Sequence, residues 1–255
     1  MADEQTKPRA ALISGAGRRI GRAIALALSR AGYAVVLHAH RSRSEAEELA
    51  GEIAGAGGRA SVVLANLADA EAVRGLVPAA AAFGPLTLLV NNASVFDDDD
   101  IATLERGAFE RTLAVNLTAP VFLSQAFAAQ APERADASIV NVVDQRVLKP
   151  TPRFFSYTLS KSALHSATVT LAQALAPKLR VNAVAPGPTL PSPRQSPAQF
   201  AAQAATVPLG RGPTPEEIAA AVVYLAQAKS VTGTVIAVDG GQHIAWRTLD
   251  SDGAE

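Results

Sequence analysis

The chain predicts an α/β fold: a single domain on a doubly wound parallel sheet of about seven strands, with helices on both faces. Three observations lead there. Seven short apolar runs alternate with longer stretches of helical periodicity along the 255 residues. A glycine-rich turn separates the first run from the first helix. No linker divides the chain, and a hydrophobic content of 49% suffices for one sizeable core.

The elements follow in order. Residues 10–14 read as a buried strand. The turn Ser14-Gly-Ala-Gly-Arg-Arg-Ile-Gly21 leads into a helix over 20–30, stopped at Gly32. A strand at 34–38 precedes a helix at 44–56, with Ser44 as its cap ahead of Glu45 and Glu47. Strands at 60–64, 86–90, 138–143, 181–184 and 235–238 come next, with helical patterns between them, one running from Tyr157 to Ala176. The proline-rich stretch 186–213 lacks periodicity and reads as a mobile loop over the carboxyl ends of the strands. Within it, 188–211 is the candidate substrate lid. Residues 1–8 read as a flexible tail and 248–255 as a second tail, which leaves 9–247 as the domain.

Composition narrows the function. Formal net charge is zero and the isoelectric point is near 6.9, so nothing electrostatic favours nucleic acid or an anionic membrane. No cysteine is present, which excludes disulfides and thiolate metal sites, and no metal is expected. The start of the chain is polar and no stretch reads as a signal core or a span, so a cytoplasmic protein is expected.

The glycine turn is the first chemical signal. Gly15, Gly17 and Gly21 lie where a strand hands over to a helix, the place where backbone amides and a helix N-terminus hold a pyrophosphate. Gly15 allows the tight turn and Gly21 close helix packing. After the second strand an NAD site usually offers a carboxylate to the ribose 2′-hydroxyl. Here the chain has His40, Arg41 and Ser42, with Arg19 on the glycine turn. Arginine suits a 2′-phosphate, so the cofactor expected is NADP(H). Asn66 after the third strand could bond the adenine, and the run Asn91-Asn-Ala-Ser94 could line the cleft.

The second signal is a pair and its neighbour. Tyr157 and Lys161 stand four apart and share a face if the segment is helical. A cation beside a phenol lowers its pKa and suits it to proton transfer. Asp144 precedes Tyr157 by thirteen positions (157 − 144). A carboxylate there accepts hydrogen bonds from a ring amine or amino group, or delivers a proton if its pKa is raised.

Together these motifs resemble the short-chain dehydrogenase/reductase family. They are the glycine turn, Asn91-Asn-Ala93, Asn116, Tyr157 with Lys161, Val181-Asn-Ala-Val-Ala-Pro-Gly187 and Val238-Asp-Gly-Gly241. The resemblance implies a Rossmann-like fold and hydride transfer between a nicotinamide and a carbonyl, alcohol or imine. Tyr157 would be the acid, Lys161 would hold the nicotinamide ribose and lower the tyrosine pKa, and Asn116 would help hold a relay water. It extends the cofactor set to Ile20, Leu67, Asn92, Ala93, Ser94, Pro186 and Gly187.

Two positions depart from the family's usual pattern: Arg19 where glycine is usual, and Asp144 where serine is. Both are shared by a branch that this chain resembles, the pteridine reductases and dihydromonapterin reductases. The branch implies a pterin substrate, dihydropterin going to tetrahydropterin, stacked between Phe96 and the nicotinamide. Ser94 and Arg19 would touch cofactor phosphate and pterin, and Asp144 with Tyr157 would form the acid pair. Trp246 and Arg247 would approach a partner subunit's site in a homotetramer or homodimer. The acidic run Asp97 to Asp100 reads as a solvated loop bordering the pocket. The alternatives are a carbonyl or 3-oxoacyl reductase of the same family and, more remotely, a non-catalytic NADP(H)-binding sensor.

Overall fold

Strand and helix alternate as the pattern predicts. Strands β1 (Ala10–Ile13), β2 (Ala34–Ala39), β3 (Ala60–Leu64), β4 (Leu86–Asn91), β5 (Ala137–Val142), β6 (Leu179–Pro186) and β7 (Val235–Val238) form one sheet. The structure is a computed structural model and describes residues 9–131 and 136–246. The order is β3-β2-β1-β4-β5-β6-β7 and every neighbouring pair is parallel. Strand order reverses between β1 and β4, which opens a crevice at their carboxyl ends, where such sheets bind ligands.

The helices are α1 (Arg19–Arg30), α2 (Arg43–Gly55), α3 (Ala70–Ala81), α4 (Arg106–Leu113), α5 (Ala119–Gln130), α6 (Phe155–Leu175), α7 (Pro197–Ala205) and α8 (Pro215–Gln227). One face of the sheet, with Ile13, Leu37 and Val90, packs on Ile24 and Leu28 of α1, Leu49 of α2 and Val222 of α8. The other, with Leu12, Val36 and Leu89, packs on Leu76 of α3, Leu123 and Phe127 of α5 and Ala172 of α6. Burial on both faces explains why the central strands are unbroken apolar runs rather than alternating ones.

Three elements differ from expectation. Helix α2 starts at Arg43, so Ser44 lies inside its first turn; the Ser44 hydroxyl bonds the Glu45 carboxylate at 3.0 Å and caps nothing. The stretch 188–211 is not loop throughout, because it contains α7. That helix opens with a capping box between Ser196 and Gln199 and has Pro197 in its first turn, yet none of its residues is buried. At nine residues it is shorter than the window over which helical periodicity is read. Finally, α4 runs through a π-helical turn at Ala114–Thr118 into α5. This continuous helix, Arg106–Gln130, is long and apolar enough to cross a membrane by length and composition alone. Its side chains Leu123 and Phe127 belong to the core described above. The tails 1–8 and 248–255, and Arg247, lie outside the described residues.

Candidate active site

The carboxyl ends of β4 and β5 and the first turns of α6 meet over one set of side chains. Asp144 follows β5, and Tyr157 and Lys161 project from α6. The Tyr157 hydroxyl donates to Asp144 Oδ2 at 2.8 Å. Lys161 Nζ donates to the Val142 carbonyl at 2.7 Å and is buried. The spacing of four does put both side chains of the pair on one helix face.

The electrostatics differ from the simple pairing expected. Burial pushes the Tyr157 phenol well above its ordinary range, and the Asp144 carboxylate pushes it further, against a weaker opposing pull from Arg146. Lys161 is not what sets it. The phenol gives its hydrogen to a carboxylate, and the ammonium is turned to a backbone carbonyl. Lys161 itself falls to about 8 because burial disfavours its charge. Tyr157 therefore holds its proton in this arrangement, on the bond to Asp144.

Arg146 completes this cluster and is not foreseen from sequence. Its backbone N–H donates to Asp144 Oδ1 at 2.8 Å, and its Nη1 lies 3.3 Å from both carboxylate oxygens. Both side chains are mostly buried, at 17% and 15% exposure. Arg146 also lies over Phe154 and Phe96, at 5.3 and 5.6 Å from their centroids. The two phenylalanines stack at 4.3 Å and 11°, and Phe96 meets the Tyr157 ring edge-on at 4.6 Å. Phe154 has a φ of +54°, in the left-handed region that a bulky residue rarely adopts. Arg19 has the same φ, so both strained non-glycine residues among those described border the site. Neither Arg146 nor Phe154 belongs to a motif; only their nearness to Asp144 and Tyr157 in the chain could have flagged them.

Asn116, in the π-helical turn, is fully buried and clamps two segments. Its Oδ1 accepts from Val95 N at 2.8 Å, and its Nδ2 donates to Val95 O at 2.9 Å and Ser160 Oγ at 3.0 Å. Its direct partners thus lie in the 94–96 loop and α6. Ser94 also reaches Asn116 Oδ1, at 3.3 Å.

The acidic run is more than a solvated loop. Asp97 pairs with Arg111 at 2.9 Å and Asp98 with Arg153 at 3.3 Å. Asp99 accepts from the backbone N–H and hydroxyl of Ser156, and its carbonyl takes the Phe155 N–H. It thus satisfies first-turn donors of α6 that no N-cap side chain meets. Asp100 holds its own turn through Ala102 and Thr103.

On the cofactor side, Gly15 has φ +65° and a Cβ there would stand 2.9 Å from Ala93 Cα; at Gly21 it would stand 2.1 Å from Gly15 O. Asn92 Nδ2 donates to Ser14 O and Gly15 O, at 2.9 and 3.0 Å, so Asn92 braces the turn from β4. Helix α1 starts with no side-chain cap and no acidic residue in its first turn, unlike α3, α7 and α8, each capped by a side chain. Its free amides, with Gly17, Ile20 and Arg19 beside them, fit a pyrophosphate. His40 and Arg41 are exposed at the end of β2 beside Ser42, and no carboxylate partner for Arg41 exists among the described residues. That donor set fits a 2′-phosphate. Asn66 is exposed and uses its Oδ1 on Ala68 N, which leaves its amide nitrogen for a base; Leu67 beside it is buried. Pro186 ends β6, and Gly187 N donates to Val238 O at 3.0 Å.

The stretch 188–211 is tied to both sides of the cleft. Arg19 donates to Pro191 O at 2.9 Å and Leu190 O at 3.2 Å, and Arg194 donates to Phe96 O at 2.9 Å. Trp246 is exposed, at the edge of the described residues.

Known proteins resemble the chain over most of its length. A family described as Enoyl-(Acyl carrier protein) reductase matches residues 15–243. The chain is similar to a short-chain type dehydrogenase/reductase of Picea abies, at 34% identity over 249 residues and 92% of each chain. It is 32% identical to a 3-oxoacyl-(acyl-carrier-protein) reductase of Synechocystis sp., covering 91% of this chain and 95% of that one. The crystal structure of FolM alternative dihydrofolate reductase 1 from Brucella canis, complexed with NADP, is similar with a TM-score of 0.92 and 49% identity, covering 95% of this chain and 97% of that one.

Proposed function

The chain belongs to the short-chain dehydrogenase/reductase family and is an NADP-dependent oxidoreductase, and from that premise we propose that its substrate is a pterin, taken from dihydropterin to tetrahydropterin. Bound NADPH supplies the hydride. The observation that carries the proposal is Asp144, bonded to Tyr157 at 2.8 Å and gripped by Arg146. A pterin presents an amino-pyrimidinone edge of fixed donors and acceptors. The carboxylate accepts from that edge, which a serine suited to a simple carbonyl does not match. Tyr157 delivers the proton to the ring nitrogen beside the carbon being reduced. The stacked pair Phe96 and Phe154 provides a shelf for a flat ring, worth roughly 0.5–1.5 kcal/mol beyond its area. Lys161 positions the nicotinamide ribose, and Asn116 keeps the 94–96 loop on α6. His40, Arg41 and Ser42 take the 2′-phosphate. The neighbour named as a dihydrofolate reductase supports the reading, since dihydrofolate contains a pterin ring.

A carbonyl or 3-oxoacyl reductase is the second reading, favoured by the Synechocystis relative. Assembly into a homo-oligomer belongs to the proposal, since Phe122 of α5 and Leu159 and Val169 of α6 leave apolar surface exposed. The deciding experiment is NADPH oxidation with dihydrobiopterin, dihydromonapterin, dihydrofolate and one 3-oxoacyl thioester side by side. The proposal expects turnover of at least one pterin and little of the thioester; the reverse order would reject it.

A further inference from the structure

His38 is a buried titratable group that the proton chemistry does not use. It is 2% exposed, near the end of β2. Its ring spans two segments of the cofactor cleft. Gly15 N donates to Nδ1 at 3.1 Å, and Nε2 lies 3.1 Å from Ala65 O. A backbone N–H cannot accept and a carbonyl cannot donate, so Nδ1 is bare and Nε2 carries the hydrogen. The ring is neutral and of one tautomer. The carbonyl of His38 accepts from Ala16 N at 2.9 Å, so the residue grips the glycine turn twice. Ala65 directly precedes Asn66, the candidate adenine contact.

We propose that His38 is a positioning residue for NADP, a neutral strut that fixes the glycine turn against the end of β3. The two ends of that strut bear on the pyrophosphate and the adenine, so its length shapes the adenosine half of the cleft. From the other side Asn92 braces the carbonyl of the same glycine. The ring stays uncharged because burial pushes its pKa down to about 4, with His40 adding to that and the Ala65 bond opposing it. Gly15 and Ala65 face the ring with main-chain groups only, so His40 is the titratable neighbour that bears on it among the described residues.

Substitution by asparagine, glutamine and leucine separates the two ends. His38→Asn keeps an acceptor where Nδ1 stands, His38→Gln keeps a donor where Nε2 stands, and His38→Leu keeps neither. NADPH affinity is read by fluorescence titration of the purified protein at 25 °C, and kcat is read at saturating NADPH. The strut predicts that His38→Leu weakens NADPH binding by roughly tenfold or more, as for a buried hydrogen-bonding group left unmet. It also predicts that Asn and Gln each recover part of the loss, and that kcat moves by about twofold or less where affinity alone is lost. Should the leucine variant not fold, the other two still decide. Unchanged affinity in all folded variants, or a loss of kcat with affinity intact, would overturn the proposal. Melting of the NADP-free protein gives a second readout. The folded value near 4 lies below the ordinary 6.5, so the unfolded chain binds one more proton between them. Wild-type stability therefore falls as pH drops from about 6.5 towards 4, by a slope one proton steeper than in His38→Asn. Equal slopes would mean the ring is not held neutral.

Discussion

Beside burial, two side chains bear on Tyr157, and only one was legible in advance. Asp144 stands out because it occupies a serine position in an otherwise regular series of motifs. Arg146 does not, because its role depends on a short 3-10 turn at Gln145–Val147 that folds its guanidinium back over the carboxylate. Its Nε is buried with no hydrogen-bond partner among the described residues. Such a group is costly unless its charge pair is intact. Arg146→Ala is expected to lower kcat roughly tenfold or more, the equivalent of one charge-assisted hydrogen bond, and to leave NADPH affinity unchanged. Steady-state kinetics beside an NADPH titration checks both halves. Lys161 sets a second test. Burial lowers it to about 8, so kcat/KM should fall as pH rises through that value and the ammonium loses its proton. A profile flat to about pH 10, the ordinary lysine range, would contradict that role. The same shift has a stability sign: between about 8 and 10.5 the unfolded chain binds the extra proton, so stability gains from rising pH in that window.

Helix α6 delivers both catalytic candidates, and its start is held by another segment. Phe154 precedes it in a left-handed conformation and offers no cap, while Asp99 from the acidic run meets its first donors. Asp99→Ala should remove about 1 kcal/mol, as lost caps do. For a chain of this size that is about 2–4 °C in melting temperature. Activity should fall with it, since Tyr157 is two residues into the helix. Thermal melting and turnover of the same variant give the answer. An unchanged melting temperature would mean that Asp99 is only solvated. The run of four aspartates reads as solvent-facing because composition reports charge and not the partner across the fold. The reading of 188–211 as loop has a related cause: α7 is only nine residues long, lies among prolines and buries nothing, so it is too short for periodicity to mark it.

At the scale of the molecule the fold was legible almost entirely. Seven apolar runs became seven parallel strands, because a sheet covered on both faces needs strands that are apolar throughout. The glycine turn lies where the strand order reverses, and the site gathers at the carboxyl ends of the strands beside it. What sequence alone could not place were the partners brought together across 44 to 171 positions, such as Arg19 on Leu190, Asn116 on Ser160 and Asp99 on Ser156. Asp144 itself is held by near neighbours, Arg146 and Tyr157, and the proposed pterin specificity rests on it. The direct measurement is kcat/KM for dihydrobiopterin and for a 3-oxoacyl thioester, in the wild type and in Asp144→Ser. Loss of pterin turnover by roughly a hundredfold or more in the variant, with thioester turnover unchanged or improved, is the expected result. Pterin turnover that survives the serine would contradict the role given to Asp144 and, with it, the pterin reading.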